Sequence, residues 1–172
     1  MILTLVIISL FVYNCHGATC DCQNELSQLR KELEASVDSE WFVPFNGYKY
    51  KLTHPANWTE ARSECQELGG DLATVGARDS TMREIIWLRL GKPMPWIGLH
   101  DLEREGEFTW IDGAPADNLD WDDGEPNNME MQTFGSDIIE DEDCGNLSIN
   151  GKLNDDNCSF SFINGLCEIK ID

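Results

Sequence analysis

Glu125-Pro126-Asn127, then Glu142-Asp143-Cys144, then Asn154-Asp155 shortly before Cys158, are the residues from which the fold is read. They stand in a segment from Asp112 to Asp156 that is rich in Asp, Glu, Asn and Gly and carries no sustained helical or strand period, so it reads as a long loop region. Loops of that length inside a compact domain are usually functional or disordered. Calcium is a hard cation that takes about 6–8 oxygen ligands from carboxylates, amide carbonyls and water, and Glu125, Asn127, Glu142, Asn154 and Asp155 supply that kind of atom. Were Cys144 and Cys158 bridged, Glu142 and Asn154-Asp155 would be drawn together at the base of the closed loop. A cis Pro126 would turn the side chains of Glu125 and Asn127 to one side.

Upstream of this region the pattern is helical. Asn57 is a good N-cap with Glu60 three residues on; Trp58, Ala61, Cys65 and Leu68 share a face; Gly69-Gly70 ends the run. Thr81 and Glu84 signal a second helix carrying Met82, Ile85, Ile86 and Leu90, with Gly91 as its stop. An aromatic, strand-like stretch from Trp41 to Tyr50 precedes both helices, and short runs such as Trp96-Ile97-Gly98-Leu99 and Phe108-Thr109-Trp110-Ile111 follow them. Helices first and short strands with long loops later indicate an α+β domain.

The 172 residues leave room for one such domain, residues 41–172, with a leader and a short appendage. Met1 to Val12 is apolar and uncharged, with small residues near Gly17, so residues 1–17 are read as a secretory signal. The run is too short for the ~20 apolar residues of a membrane anchor. Residues 18–40 then form a stalk in which Leu26, Leu29 and Leu33 repeat at helical spacing, a short coiled coil or a flexible connector. With Cys15 in the leader, six cysteines remain, and six allow 15 pairings. Cys20 and Cys22 are too close for an easy mutual bridge, which suits links to another chain.

Twelve Lys+Arg against 32 Asp+Glu give a formal charge of −20, a field that repels nucleic acid and anionic lipid. His16, His54 and His100 have no evident nucleophilic partner, and the carboxylates are better explained as calcium ligands than as a glycosidase pair. The chain therefore reads as a binding protein and not an enzyme.

The ordered set of Cys65, Gly70-Asp71-Leu72-Ala73, Trp96-Ile97-Gly98-Leu99, Trp110, Trp121, Glu125-Pro126-Asn127, Glu142-Asp143-Cys144, Asn154-Asp155, Cys158 and Cys167-Glu168 resembles the C-type lectin domain family in its short form, over Trp41 to Lys170. The resemblance implies the C-type lectin fold, two helices with small antiparallel sheets, and pairing of Cys65 with Cys167 and of Cys144 with Cys158. It implies calcium at Glu125, Asn127, Glu142, Asn154 and Asp155, and an auxiliary calcium at Asp101, Glu105, Asn128 and Asp143. In that family the Glu-Pro-Asn form of the loop goes with mannose-type sugars, so the implied protein is a secreted calcium-dependent lectin for glycans, microbial surfaces among them, multiplied into a homo-oligomer by its stalk. The alternative is a domain of the same fold that uses its acidic loops on a protein, mineral or ice surface.

Three features depart from the family pattern. Fourteen residues separate Asn127 from Glu142, an insert with Met129, Met131, Phe134, Asp137, Glu140 and Asp141 that is either a surface loop or a segment that extends the sugar site, wraps a protein partner or supplies a competing ligand. Leu153 stands where Trp is usual, which changes packing under the site. Asn128 stands where Asp is commoner, which removes one charge from the auxiliary set. Asn57-Trp58-Thr59 and Asn146-Leu147-Ser148 are glycosylation sequons, and Asn157-Cys158-Ser159 is a less typical one. Since Asn57 doubles as a cap and Asn157 adjoins a cysteine, Asn146 is the available acceptor.

Overall fold

The computed structural model describes residues 41–129, 131–132 and 139–171. The leader, Cys20, Cys22, the leucine stripe, and Phe134 and Asp137 of the insert lie outside the described residues.

Strand β1 (Tyr48–Ala56) leads into helix α1 (Trp58–Glu67), short strand β2 (Asp71–Leu72), a single turn α2 (Val75–Arg78) and helix α3 (Ser80–Arg89). Strands β3 (Trp96–His100), β4 (Thr109–Trp110), β5 (Met131–Gln132), β6 (Ile139–Glu140), β7 (Cys144–Leu147), β8 (Leu153–Asp156) and β9 (Ile163–Lys170) complete the domain. The main sheet runs β1-β9-β3-β7-β8, with β2 added to β9 and β4 to β3. Its pairs are antiparallel except β3 with β9, which are parallel at Trp96 and Gly165.

Local chemistry accounts for the helix ends. The Asn57 side chain accepts from the Glu60 N–H at 2.9 Å, satisfying one of the donors a helix start leaves open. Trp58, Ala61 and Cys65 form the buried face of α1, and Gly69 closes the helix at φ +89°, where a side chain would be strained. The second helix corrects the sequence reading: its cap is Asp79, whose side chain accepts from the Met82 N–H at 2.8 Å. The α3 helix thus begins at Ser80, before the expected Thr81, because an aspartate carboxylate was available two residues earlier.

Two apolar clusters make up the core. One gathers Tyr50, Ile86, Ile97, Leu99, Trp110, Leu147 and Leu153; the other gathers Trp58, Ala61, Leu72 and Trp96 around Cys65 and Cys167. Cys65–Cys167 joins α1 to β9, and Cys144–Cys158 joins β7 to the segment after β8. Buried Arg83 ties α3 to the loops on the far side, donating to Gly151 O at 2.9 Å, to Ala77 O at 2.8 Å and to the Asp120 carboxylate. Asp120 is one residue from Trp121, so this cation anchors the start of the loop that carries Glu125.

The region read as one long loop contains more regular structure than its composition suggested. Strands β7 and β8 pair in full register from Cys144↔Asp156 to Leu147↔Leu153. Within the insert, Met131↔Glu140 and Gln132↔Ile139 form a two-stranded antiparallel pair. Asp, Asn and Gly disguise strands when the partner strand and the disulfide, and not side-chain propensity, hold the backbone extended.

Candidate functional site

Register places the site at one end of the sheet. His100 of β3 lies opposite Cys144 of β7, and Cys144 lies opposite Asp156 of β8. Asp101, just after β3, Glu142 and Asp143, just before β7, and Asp155 and Asp156 of β8 therefore lie at the same end of three adjacent strands. Gly145 permits the close approach of β7 to β3, since a Cβ there would sit 2.8 Å from Leu99 Cβ.

The Glu125 loop is pinned onto this end by backbone bonds. Asp122 N–H donates to Leu153 O at 2.8 Å, and Leu153 N–H donates to Asp120 O at 3.0 Å. Asp155, 1% exposed, accepts from the N–H groups of Asn127 at 3.1 Å and Asn128 at 2.9 Å, one on each carboxylate oxygen. Met129 N–H donates to Glu142 Oε2 at 2.9 Å, while Glu142 N–H donates to Asn128 Oδ1 at 3.1 Å. Asn128 adopts φ +43° to make these contacts, a left-handed conformation that Asn tolerates better than most residues. The Glu125–Pro126 peptide is cis.

Glu125, Asn127, Glu142, Asn154 and Asp155 are brought together by this arrangement. Asn127 Nδ2 donates to Glu125 Oε2 at 2.6 Å, and Asn154 Nδ2 donates to Asp155 O. Burial and the neighbouring Asp155 carboxylate raise Glu125 above the ordinary carboxylate range. Glu142, 9% exposed, is pushed up to about 7, by burial first and then by the charges of Asp155, Asp156 and Glu125, against the opposing Met129 N–H bond. Carboxylates crowded in this way favour a bound cation or a proton.

Asp101, Glu105 and Asp143 form a second group, with one oxygen from each within 4.8 Å of the others. Asn128 Nδ2 donates to Glu105 Oε1 at 2.6 Å, so Asn128 touches both groups. Asp101 Oδ2 accepts from Gly106 N–H at 2.8 Å, whereas its Oδ1 is buried without a partner. Burial, and then repulsion from neighbouring aspartates, raises all three carboxyls. An orphaned buried carboxylate oxygen beside two more acids is a donor set for a hard divalent cation, and the absence of His and Cys from it fits calcium better than zinc.

Leu153 is 1% exposed and packs in the main core, bridged to Trp121, so its replacement of Trp acts on the floor of the site. One expectation is overturned. Asn146 is 3% exposed, and its Nδ2 donates to Asp156 Oδ2 at 3.1 Å, so the folded domain has no room for a glycan there. Its place in β7, opposite Asn154, buries it. Asn157 is also buried, at 3% exposed, while Asn57 is half-buried with its Oδ1 engaged in the cap. Sequence reasoning missed the Asn128 side chain and the Met129 backbone as links between the two acid groups, because no motif marks a backbone donor.

A family model, the lectin C-type domain, matches residues 54–169. The mouse (Mus musculus) low affinity immunoglobulin epsilon Fc receptor is 34% identical over 111 residues, covering 64% of this chain and 30% of that protein. The CD209 antigen of Macaca mulatta is 33% identical over 127 residues, covering 71% of this chain and 28% of that protein. The chain thus spans less than a third of the length of these curated relatives. Among solved structures, the mouse scavenger receptor C-type lectin carbohydrate-recognition domain aligns with TM-score 0.64 and 28% identity, over 77% of this chain and 97% of that one. The cow carbohydrate-recognition domain of CD23, solved in the presence of GlcNAc2Man3 oligosaccharide, aligns with TM-score 0.63 and 29% identity, over 77% and 95%.

Proposed function

Because the chain belongs to the C-type lectin domain family, we propose that it is a secreted lectin that binds mannose-type sugars through calcium held by Glu125, Asn127, Glu142, Asn154 and Asp155. The observation that supports this most is the meeting of the Glu125, Glu142 and Asp155 carboxylates, drawn from separate segments, with Glu125 and Glu142 raised by burial and then by the Asp155 charge. A divalent cation relieves that repulsion, and the oxygen-rich donor set suits calcium.

When bound, calcium supplies open coordination positions to two neighbouring sugar hydroxyls. The residues of the chain supply the rest of the recognition. Ionised Glu125 and Glu142 only accept hydrogen bonds, whereas the amides of Asn127 and Asn154 also donate. A pair of adjacent equatorial hydroxyls, each donating once and accepting once, is complementary to that mixture. Asp155, committed to the backbone of Asn127 and Asn128, holds the loop in place. Asp101, Glu105, Asn128 and Asp143 would hold the auxiliary calcium and brace the same loop from behind.

Single sugar sites are weak, so linking several domains through Cys20, Cys22 and the leucine stripe would raise avidity towards repeated glycans such as those on microbial surfaces. The relatives are lectins and receptors by name, which accords with a binding role and not catalysis. Among the described residues no helix is long and apolar enough to cross a membrane.

Retention on immobilised mannose tests the reading. The protein should bind in calcium and elute with either a chelator or free mannose. Elution by chelator alone, with no response to mannose or to any sugar on a glycan array, would overturn it in favour of a non-carbohydrate partner.

A further inference from the structure

A cleft of about 460 Å³ opens on the flank of β7 and β8, between those strands, the turn at Met94 and the segment around Phe162. Register sets Asn146 opposite Asn154, and strand alternation puts Asp156 on the same face. The rim is apolar and open: Met94 is 54%, Ile149 71% and Phe162 70% exposed. Phe162 is held by stacking on Phe160, with ring centroids 5.1 Å apart.

The floor carries two carboxylates, Asp122 and Asp156, beside the amides of Asn146, Asn154 and Asn164 and the Ser148 hydroxyl. Asp156 receives Asn146 Nδ2 at 3.1 Å and Asn157 N–H at 3.0 Å. Asn146 Oδ1 is buried and has no partner. The amide nitrogen of Asn164, also in the lining, is already given to Thr53 O at 2.7 Å. Asp122 adds a second carboxylate to the lining, and no Lys or Arg is among the lining residues.

A ligand that satisfies this surface must donate several hydrogen bonds and need none in return. Arg and Lys side chains do so, and their aliphatic stems cover apolar surface while the charged head reaches an acid. A sugar hydroxyl fits less well, because its lone pairs would face carboxylate and amide oxygens. The formal charge of −20 adds a long-range attraction for cations.

We infer that this cleft receives an arginine or lysine side chain of a basic partner protein, with the charged head on Asp156 and the stem against Phe162 and Ile149. The cleft shares Asn154 with the proposed calcium set, and the inference does not rest on sugar binding.

The test titrates the full chain with acetyl-Gly-Arg-Gly-amide and with the same peptide carrying citrulline, the neutral counterpart of arginine. The Asn146 side-chain amide and the Ile149 methyl groups are followed by NMR, once in calcium and once in chelator. The arginine peptide should shift both signals saturably in both conditions. The citrulline peptide should bind at least about tenfold more weakly, as expected when a charge-assisted bond is lost. Asp156→Asn should abolish the response. Should that variant not fold, Phe162→Ala and Ile149→Ser, both at exposed positions, should each weaken the arginine peptide several-fold. Equal binding of the two peptides, an unchanged response in both rim variants, or shifts produced only by mannotriose in calcium would overturn the inference. The last result would mark the cleft as an extension of the sugar site.

Discussion

Acidification tests the calcium site most directly, because Glu142 must ionise before it can ligate. In the metal-free domain that carboxyl is pushed up to about 7 by burial and by Asp155, Asp156 and Glu125, whereas in the unfolded chain it returns to about 4.3, the ordinary Glu value. Metal and proton then compete for one group, and the apparent dissociation constant rises by a factor of 1 + 10^(pKa − pH). With the pKa at about 7, the factor is about 1.1 at pH 8, about 11 at pH 6 and about 100 at pH 5. An ordinary glutamate would leave affinity almost unchanged down to about pH 5.5. The sign for folding is the opposite. A raised carboxyl contributes stability that is fully present below its unfolded pKa of about 4.3 and is lost as pH rises through about 7. The metal-free domain should therefore melt at a lower temperature at pH 8 than at pH 5, and the gain in melting temperature from calcium should be larger at pH 8. Isothermal titration of calcium from pH 8 to pH 5, paired with thermal melts in chelator, measures both trends. Calcium affinity that stays within twofold between pH 8 and pH 6 would refute the reasoning, as would a metal-free melting temperature that climbs with pH over the same window.

Glu125→Gln combined with Asn127→Asp should weaken mannose and favour galactose on a glycan array, because it exchanges the accepting and donating sides of the loop. Asn128→Asp adds a carboxylate beside Asp101, Glu105 and Asp143; it should lower the melting temperature in chelator and raise calcium affinity in calorimetry. Cys144→Ala with Cys158→Ala opens a loop whose ends are 14 residues apart, costing about 3 kcal/mol in denaturant unfolding. The same double variant should weaken calcium, since Glu142 and Asp143 lead into β7 and Asp155 lies in β8. Gly145→Ala forces β7 away from Leu99 and should cost about 1–3 kcal/mol, seen as a lower melting temperature with a parallel loss of calcium affinity.

Much of the fold was legible along the chain because its signals are local. The Asn57 cap is read from a side chain and a backbone three residues apart, and the buried run Trp96-Ile97-Gly98-Leu99 declares a central strand by composition alone. The second helix shows the limit. Asp79 and Thr81 both have capping chemistry, and the helix uses Asp79, which also ends the turn Val75–Arg78. Asn146 shows a different limit: its sequon is intact, yet cross-strand pairing with β8 removes the side chain from solvent. A three-residue motif carries no information about burial.

The candidate site divides along the same line. Residue types alone identified an oxygen-rich, acidic constellation suited to a hard cation, because hydrogen-bonding capacity and charge belong to the side chain wherever it sits. Only the tertiary structure decided that Asp155 faces the backbone of Asn127 and Asn128, that Glu142 is buried beside Asp155 and Glu125, and that Asn128 joins the two acid groups. Strand register and the disulfide set those distances, and distance and burial determine how strongly like charges act on one another.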